Sequence, residues 1–405
     1  MMDHLILILT LLLKAASLWF LIVALFALRR PKPFEVCAPR TRFACLIAAR
    51  NEEAVIGALV ESLRAQAYPD ELYDIFVIPN NCTDNTEAVA LTAGAKIFRC
   101  FEPVHCKGDA LHEAVAWLLP RGYDAFCIFD ADNVADEHFL ARMNDAFCAG
   151  ARVCKGAMRV KNPYDSWLSG CYGFYFTLFD TFFSRARMNC GLSSKLVGTG
   201  FAVHRSVFER FGGWNTTTIA EDAEFSVQCA VHGVRVHFVP AALTYDEAPN
   251  RFAVSLRQRR RWCSGIMDVA VCRDGALCAA LRGGAPLRAL DVLLVVNAPF
   301  LQVLTLLPLT LTVLSALARE RLAVLALTGV VSLTLSTLGL MAFAALLACL
   351  GGYRERRVIR SIVGFPLFMA AWLPLQLVSL VSRTRSWQPI AHTRAVRVGS
   401  LRAAR

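Results

Sequence analysis

The stretch FCIFDADNVADEHFL, residues 126–140, places two carboxylates one residue apart, Asp130 and Asp132, directly after the apolar run Phe126-Cys127-Ile128-Phe129. The apolar run reads as the end of a buried strand. Two readings of the aspartates compete. Asp and Asn favour strand ends because their side chains bond local backbone, which makes this a turn. Paired carboxylates at such a place also cradle a divalent cation that carries phosphates. The surrounding sequence has to separate the two.

On both sides of this stretch, short apolar runs alternate with helical patterns. Phe43–Ala48, Asp74–Ile78, Ala95–Arg99 and Tyr123–Phe129 read as strands. Glu53–Gln66, Thr86–Ala93 and Gly108–Leu119 read as helices, the first with Val55, Ile56, Leu59, Val60 and Leu63 on one face. Such alternation predicts an α/β fold with a parallel sheet covered on both faces. Ligands of these sheets sit at the carboxyl ends of the strands. Those ends are Arg50-Asn51-Glu52, Asn80-Asn81-Cys82-Thr83-Asp84 and Asp130-Ala131-Asp132. All are polar and are expected to converge on one crevice, which favours the cation cradle.

The chain has 405 residues and is 56% hydrophobic, too apolar for an ordinary soluble enzyme. The excess is concentrated in Leu5–Leu28, Leu290–Leu317, Leu322–Leu350 and Ile362–Val381. Each is near the ~20 residues a helix needs to cross a bilayer. The expected plan is an anchor over 1–30, a catalytic domain over 40–250, amphipathic interface helices over 251–285, membrane helices over 286–384 and a basic tail over 385–405. Pro299, Pro308 and Asn297 suggest a broken or re-entrant segment at 290–317. Arg29, Arg30 and Lys32 follow the first apolar segment, so the amino terminus is expected outside and the domain in the cytoplasm of a plasma-membrane protein. Lys14 should face another helix or snorkel. One leading and three trailing spans would put the basic tail outside, a tension with its charge.

The net charge of +11 comes from runs that flank the apolar segments, such as Arg257 to Arg261 and Arg354 to Arg360. This is the pattern of anchoring to anionic lipid, not of nucleic-acid binding. The 15 cysteines include no C-x-x-C and no zinc spacing, so they read as buried free thiols.

Further along, Lys107 opens a helix near the crevice, where the free N–H groups of a first turn can meet phosphate, or is an ordinary surface lysine. Val197-Gly198-Thr199-Gly200-Phe201 permits close backbone approach, or is an ordinary turn. In Thr218-Ile219-Ala220-Glu221-Asp222-Ala223-Glu224, one carboxylate is a general base, or all three complement a helix dipole. Gln258, Arg261 and Trp262 share one helix face. They can hold a diphosphate and a sugar ring, or anchor an interfacial helix on headgroups.

In order and spacing, Asp130-Ala131-Asp132, Gly198-Thr199-Gly200, Glu221-Asp222 and Gln258…Arg261-Trp262 resemble the motifs of membrane-embedded family 2 glycosyltransferases. That group includes cellulose, hyaluronan, chitin and poly-N-acetylglucosamine synthases. The resemblance covers about residues 1–270 and implies a GT-A, Rossmann-like cytoplasmic domain inserted between transmembrane helices. It implies that Asp130 and Asp132 bind nucleotide and Mg²⁺ or Mn²⁺, with Asp132 the direct ligand. Arg50, Glu52 and Asn80 would line the nucleoside pocket, with Lys107 nearby. Asp222 would be the base and Arg261 would neutralise the leaving diphosphate. Trp262, with Gln258, Thr199 and Glu221, would meet the acceptor. Where the family has an acidic residue after the second strand, this chain has Asn80 or Asn81; an amide oxygen still accepts the uracil N3–H bond. The tail Trp387-Gln388-Pro389-Ile390-Ala391-His392-Thr393-Arg394 is similar to a gating motif of bacterial members.

The implied reaction is inverting transfer from a nucleotide sugar, with UDP the expected carrier, to an acceptor hydroxyl. Processive β-glycan synthesis and translocation, with membrane lipids and accessory secretion proteins as partners, is the first expectation. The alternatives are single transfer to a ceramide- or polyprenyl-type lipid, and a transporter or receptor with a nucleotide-binding domain. The last has few intramembrane ionisable groups to work with.

Overall fold

The structure, a computed structural model, describes residues 2–384 and 394–396. It opens on helix α1 (Met2–Leu25). The first half of the domain runs β1 (Phe43–Ala49), α2 (Ile56–Arg64), β2 (Tyr73–Pro79), α3 (Thr86–Thr92), β3 (Lys96–Ile97), α4 (Lys107–Leu118) and β4 (Ala125–Asp130). These are the elements expected from the sequence, shifted by a few residues at their ends. Helix α2 starts at Ile56 rather than Glu53 because Val55 and Ile56 both donate to the Glu52 carbonyl and form a turn first.

The second half runs β5 (Val134–Ala135), α5 (Phe139–Cys148), β6 (Val153–Val160), α6 (Trp167–Leu178), α7 (Ala186–Asn189), β7 (Phe201–His204), α8 (Arg205–Phe211), α9 (Glu221–Val231) and β8 (Val236–Asp246). The strands form one sheet in the order β3-β2-β1-β4-β7-β6-β8-β5. The expected parallel pairing holds among β3, β2, β1 and β4. Beyond β4 the sheet is mixed, because β7 runs antiparallel to both β4 and β6.

Period-2 alternation splits the core. Phe43, Cys45 and Ile47 of β1 pack with Leu59, Val60 and Leu63 of α2. Ala44 and Leu46 face the other way, onto Leu111, Val115 and Leu118 of α4. Both faces are thereby covered, and the polar strand ends are left at one rim.

The remainder is helical: α10 (Phe252–Ala280), α11 (Pro286–Val296), α12 (Ala298–Leu304), α13 (Leu306–Ala318), α14 (Leu322–Gly351), α15 (Val358–Ala370) and α16 (Trp372–Val381). Among the described residues, four segments are long and apolar enough to cross a membrane: Asp3–Leu28, Ala298–Ala318, Leu322–Gly351 and Val358–Val381. The apolar stretch expected at 290–317 is not one helix. It breaks at Asn297, whose side chain donates to Asp274, and again at Thr305. Its first piece, α11, carries the buried Asp291. Lys14 is exposed and so does not face another helix.

Candidate active site

Strand ends and glycine turns build the site. β4 delivers Asp130, and the tight turn after it delivers Asp132, which is 6% exposed. The loop Gly198-Thr199-Gly200 crosses directly beneath. Gly198 and Gly200 have φ of +46° and +64°, a region that disfavours any side chain. A Cβ on Gly200 would also lie 2.7 Å from the Thr244 hydroxyl. The Gly198 carbonyl accepts from Lys107 Nζ at 2.5 Å, and its N–H donates to Asp222 Oδ2. The Thr199 hydroxyl accepts from the Asp130 N–H at 3.0 Å and donates to Asn133. Thr199 was expected to meet the acceptor. Its hydroxyl is instead committed to bracing the Asp130 turn.

Lys107, at the first turn of α4, bridges the carboxylates. Its amine lies 2.6 Å from Asp130 and 3.6 Å from Glu221. Burial opposes its charge, but Asp130 and Glu221 more than offset that and hold its pKa above the usual lysine value. Glu221 is pushed up to about 7, chiefly by burial; Lys107 pulls it down and Asp222 pushes it further up. Asp222 receives the Gly198 N–H and the N–H of Ala223, the latter at 2.7 Å. The Glu221-Asp222-Glu224 cluster thus divides. Glu221 and Asp222 face the site, while Glu224 is fully buried and ion-paired with Arg273.

One cavity of about 340 Å³ is lined by Arg50, Glu52, Asn80, Lys107, Asp130 and Asp132, then Thr199, Glu221, Asp222, Gln258, Arg261 and Trp262, all singled out from the sequence. Asn80 holds the polar position after β2. Asn81 turns away at φ +50° and donates to the Val104 carbonyl. Gln258 accepts from the Tyr172 hydroxyl at 3.0 Å. Arg261 has no hydrogen-bond or ion-pair partner among the described residues and lines the cavity.

The sequence reading missed other lining residues, among them Tyr175, Asp180, Lys195, Asp246, Trp372 and Gln376. A π-helical stretch, Phe179–Arg185, continues α6 and brings Asp180 to the cavity. There burial pushes Asp180 up to about 6 against the pull of Arg159 and Lys155. Burial also draws Lys155, beneath the site, down to about 8. Asp246 ends β8 and accepts from Asn133 at 3.1 Å. A lone Asp closing a strand would have been the one local signal for it.

The tail motif at 387–393 lies outside the described residues. Arg394, which follows it, pairs with Asp165 at 2.7 Å, and its N–H donates to Glu247 at 3.1 Å. Glu247 pairs in turn with Lys161, whose amine donates to the Asp132 carbonyl at 2.7 Å.

Among the described residues, no three His, Cys, Asp or Glu side chains converge as a metal cage. Two aspartates are nonetheless a suitable donor set for a small hard cation. Mg²⁺ typically takes one or two carboxylates and completes its shell with phosphate oxygens and water.

A mixed α/β sheet with acidic strand ends over one large cavity, flanked by apolar helices, is a GT-A fold, the class of nucleotide-sugar transferases. The chain matches the family described as "Glycosyl transferase family group 2" over residues 125–387, and it belongs to that family. Over 251 residues it is 29% identical to the probable glycosyltransferase YdaM of Bacillus subtilis, covering 60% of this chain and 59% of that one. Over 238 residues it is 28% identical to the beta-monoglucosyldiacylglycerol synthase of Synechocystis sp., covering 56% of this chain and 48% of that one. The chain thus spans about half the length of the curated relatives it matches. In fold it is similar to the mannosyltransferase PcManGT of Pyrobaculum calidifontis, solved in complex with GDP-Man and Mn²⁺. The TM-score is 0.60 at 18% identity, over 94% of this chain and 99% of that one.

Proposed function

We propose that the protein is an inverting, membrane-embedded transferase that moves a sugar from a nucleotide sugar to a hydroxyl of a lipid acceptor. The observation that carries this reading is the meeting of Asp130, Asp132 and Asp222 in a single cavity. Separate hollows for these carboxylates would have sunk it.

Asp222 is the general base. Its Oδ2 is fixed by the Gly198 N–H, which aims the carboxylate at an acceptor hydroxyl and leaves it free to take the proton. Attack comes from the face opposite the leaving group, so an α-linked donor gives a β-linked product. Lys107 and Arg261 offer positive charge to the departing diphosphate. Asp132 and Asp130 would hold Mg²⁺ or Mn²⁺, which supplies charge neutralisation to the diphosphate when bound. Arg50, Glu52 and Asn80 form the nucleoside end of the cavity, and Asn80 presents an amide to the base.

The choice of a lipid over a growing glycan rests on the helices. A conduit for polymer needs spans that enclose a lumen. Here the four candidate spans are only 6%, 6%, 17% and 28% buried, with their apolar side chains facing outward. The cavity itself reaches the start of a span at Pro299. Relatedness to a glucosyldiacylglycerol synthase points the same way. The catalytic domain lies on the cytoplasmic side of a multi-pass protein, by the positive charge that follows the first span.

The test is a screen of nucleotide sugars in purified membranes, reading release of nucleoside diphosphate and the mass of the product. The expected product is one lipid with a discrete sugar addition. A polymer ladder would restore the processive reading, and no diphosphate release from any donor would end both.

A further inference from the structure

Three polar side chains that line the cavity have no task in the mechanism above. Lys195 and Tyr175 line the cavity, and neither the amine nor the phenol has a hydrogen-bond partner among the described residues. Gln376 is 4% exposed; its amide nitrogen donates to Gln302, while its carbonyl oxygen has no donor. Buried polar groups are nearly always satisfied, so the bare Gln376 oxygen, with the half-buried amine and phenol opening onto the same space, points to a ligand.

The surroundings define the ligand's chemistry. The rings of Tyr175 and Trp372 stack at 5.8 Å and 30°, and those of Trp372 and Trp262 at 6.3 Å and 21°. A row of aromatic rings therefore leads from Tyr175 to the Gln258…Trp262 helix face. A lipid bearing a single hydroxyl needs only the base and apolar room. Its ester carbonyls can accept from an amine and a phenol, but with its one hydroxyl given to the base it has no donor for the amide carbonyl. A phosphate headgroup would suit Lys195, but an ionised phosphate only accepts hydrogen bonds and leaves the Gln376 carbonyl without a donor. A neutral sugar ring matches on every count. Its C–H face lies on aromatic rings, and its hydroxyls both donate, to the Gln376 carbonyl, and accept, from Lys195 and Tyr175.

We propose that Tyr175, Lys195 and Gln376 form an acceptor subsite for a neutral glycosyl head group. The enzyme then extends a lipid that already carries a sugar, in preference to a bare lipid hydroxyl. The inference rests on the reading of the protein as a lipid-directed transferase and adds the class of acceptor to it.

The experiment compares monoglucosyl- and monogalactosyl-diacylglycerol with diacylglycerol as acceptors of the full-length enzyme in detergent micelles. The donor is the nucleotide sugar found by the screen. The expected wild-type kcat/KM is at least about tenfold higher for a glycosylated acceptor, since a site built to bond hydroxyls discriminates against ligands lacking them. Lys195→Met, Gln376→Leu and Tyr175→Phe should each shrink that ratio about three- to tenfold, mainly through KM for the glycosylated acceptor. A purely structural effect would lower both acceptors together and leave the ratio fixed. Equal use of the three acceptors by the wild type overturns the subsite, as does a ratio unmoved by all three substitutions. Preference for an anionic phospholipid acceptor overturns it too. Donor that neither binds nor turns over with any acceptor overturns the parent reading as well.

Discussion

Asp222 and Asp132 sit within one cavity but under different constraints, and the constraints separate what their loss should do. Asp222 is held by two backbone N–H groups and, among the described residues, no side-chain cation within ion-pair distance, so replacing its carboxylate leaves the surrounding charges in place. Asp222→Asn should cut turnover by at least about 10²-fold, the usual contribution of a positioned base, with nucleotide affinity largely kept. Steady-state kinetics beside calorimetric nucleotide binding checks this, and near-normal turnover would remove Asp222 from the mechanism. Asp132 is buried, and its carbonyl is pinned by Lys161. Asp132→Ala should instead abolish the tightening of donor binding by Mg²⁺ or Mn²⁺. Titration of the nucleotide sugar with and without metal reads this directly. Donor affinity that still rose with metal in the variant would place the cation elsewhere.

At the scale of elements, local signals and long-range packing divide the molecule. The sequence exposed β1, β2 and β4 with their helices because each is an apolar run ended by polar residues. It did not expose the mixed half of the sheet. There β6 carries the buried Lys155 and is followed at once by the buried Lys161, and β8 contains Pro240, so neither reads as a simple apolar strand. Asp180 and Trp372 reach the cavity only through a π-helical stretch and through packing of α16 on α10, which no local pattern encodes. Packing also creates the buried pair Arg187–Asp291, with Nε–Oδ2 2.8 Å and Nη2–Oδ1 3.0 Å. Trp19 of α1 donates to the same carboxylate at 2.9 Å, so one aspartate of α11 ties α1 to α7. Asp291→Ala should cost about 3–5 kcal/mol, because it strands a buried guanidinium, whereas replacing both partners by apolar residues should cost far less. Thermal unfolding in detergent compares the two. A second element-scale prediction concerns β8. Burial, with Arg235 beside it, holds His237 down at about 4, and its Nδ1 has no partner. The fold therefore prefers the neutral ring. Its stabilising effect is full above the ordinary value of 6.5 and is lost as pH falls from there towards 4. The melting temperature should drop across that window, and less steeply in His237→Leu.

For the whole molecule, the question is how often the chain crosses the bilayer, and contacts answer where composition does not. By length and hydropathy alone, Val358–Val381 qualifies as a span and would leave the basic tail on the side opposite the catalytic domain. Its two ends argue otherwise. Near the start, the Ser361 carbonyl accepts from the Cys171 thiol at 3.3 Å, on a helix that begins at the catalytic domain. Just past the end, Arg383 pairs with Asp268 at 2.8 Å and the Thr384 N–H donates to Ser264 at 3.1 Å. That part of α10 lies directly on the domain, where the place for a Cβ on Gly265 is 2.8 Å from Ala220. Between these ends α15 and α16 are separated by the single residue Ala371, and the segment packs against α6 and α10 along its length. Arg394 then docks on Asp165 and Glu247 of the domain itself. We infer that the Val358–Val381 segment is held on the domain and does not cross, which would leave Asp3–Leu28, Ala298–Ala318 and Leu322–Gly351 as the crossings. Three crossings would set the tail beside the catalytic domain and reconcile its charge with the positive-inside tendency. A protease-cleavable tag fused after Arg405 should therefore be cut in inside-out vesicles and protected in sealed right-side-out ones. A cysteine placed at Arg319, between the second and third crossings, should show the reverse labelling. Tag cleavage in right-side-out vesicles would restore Val358–Val381 as a fourth span and detach the Arg394 contacts from the membrane-bound enzyme.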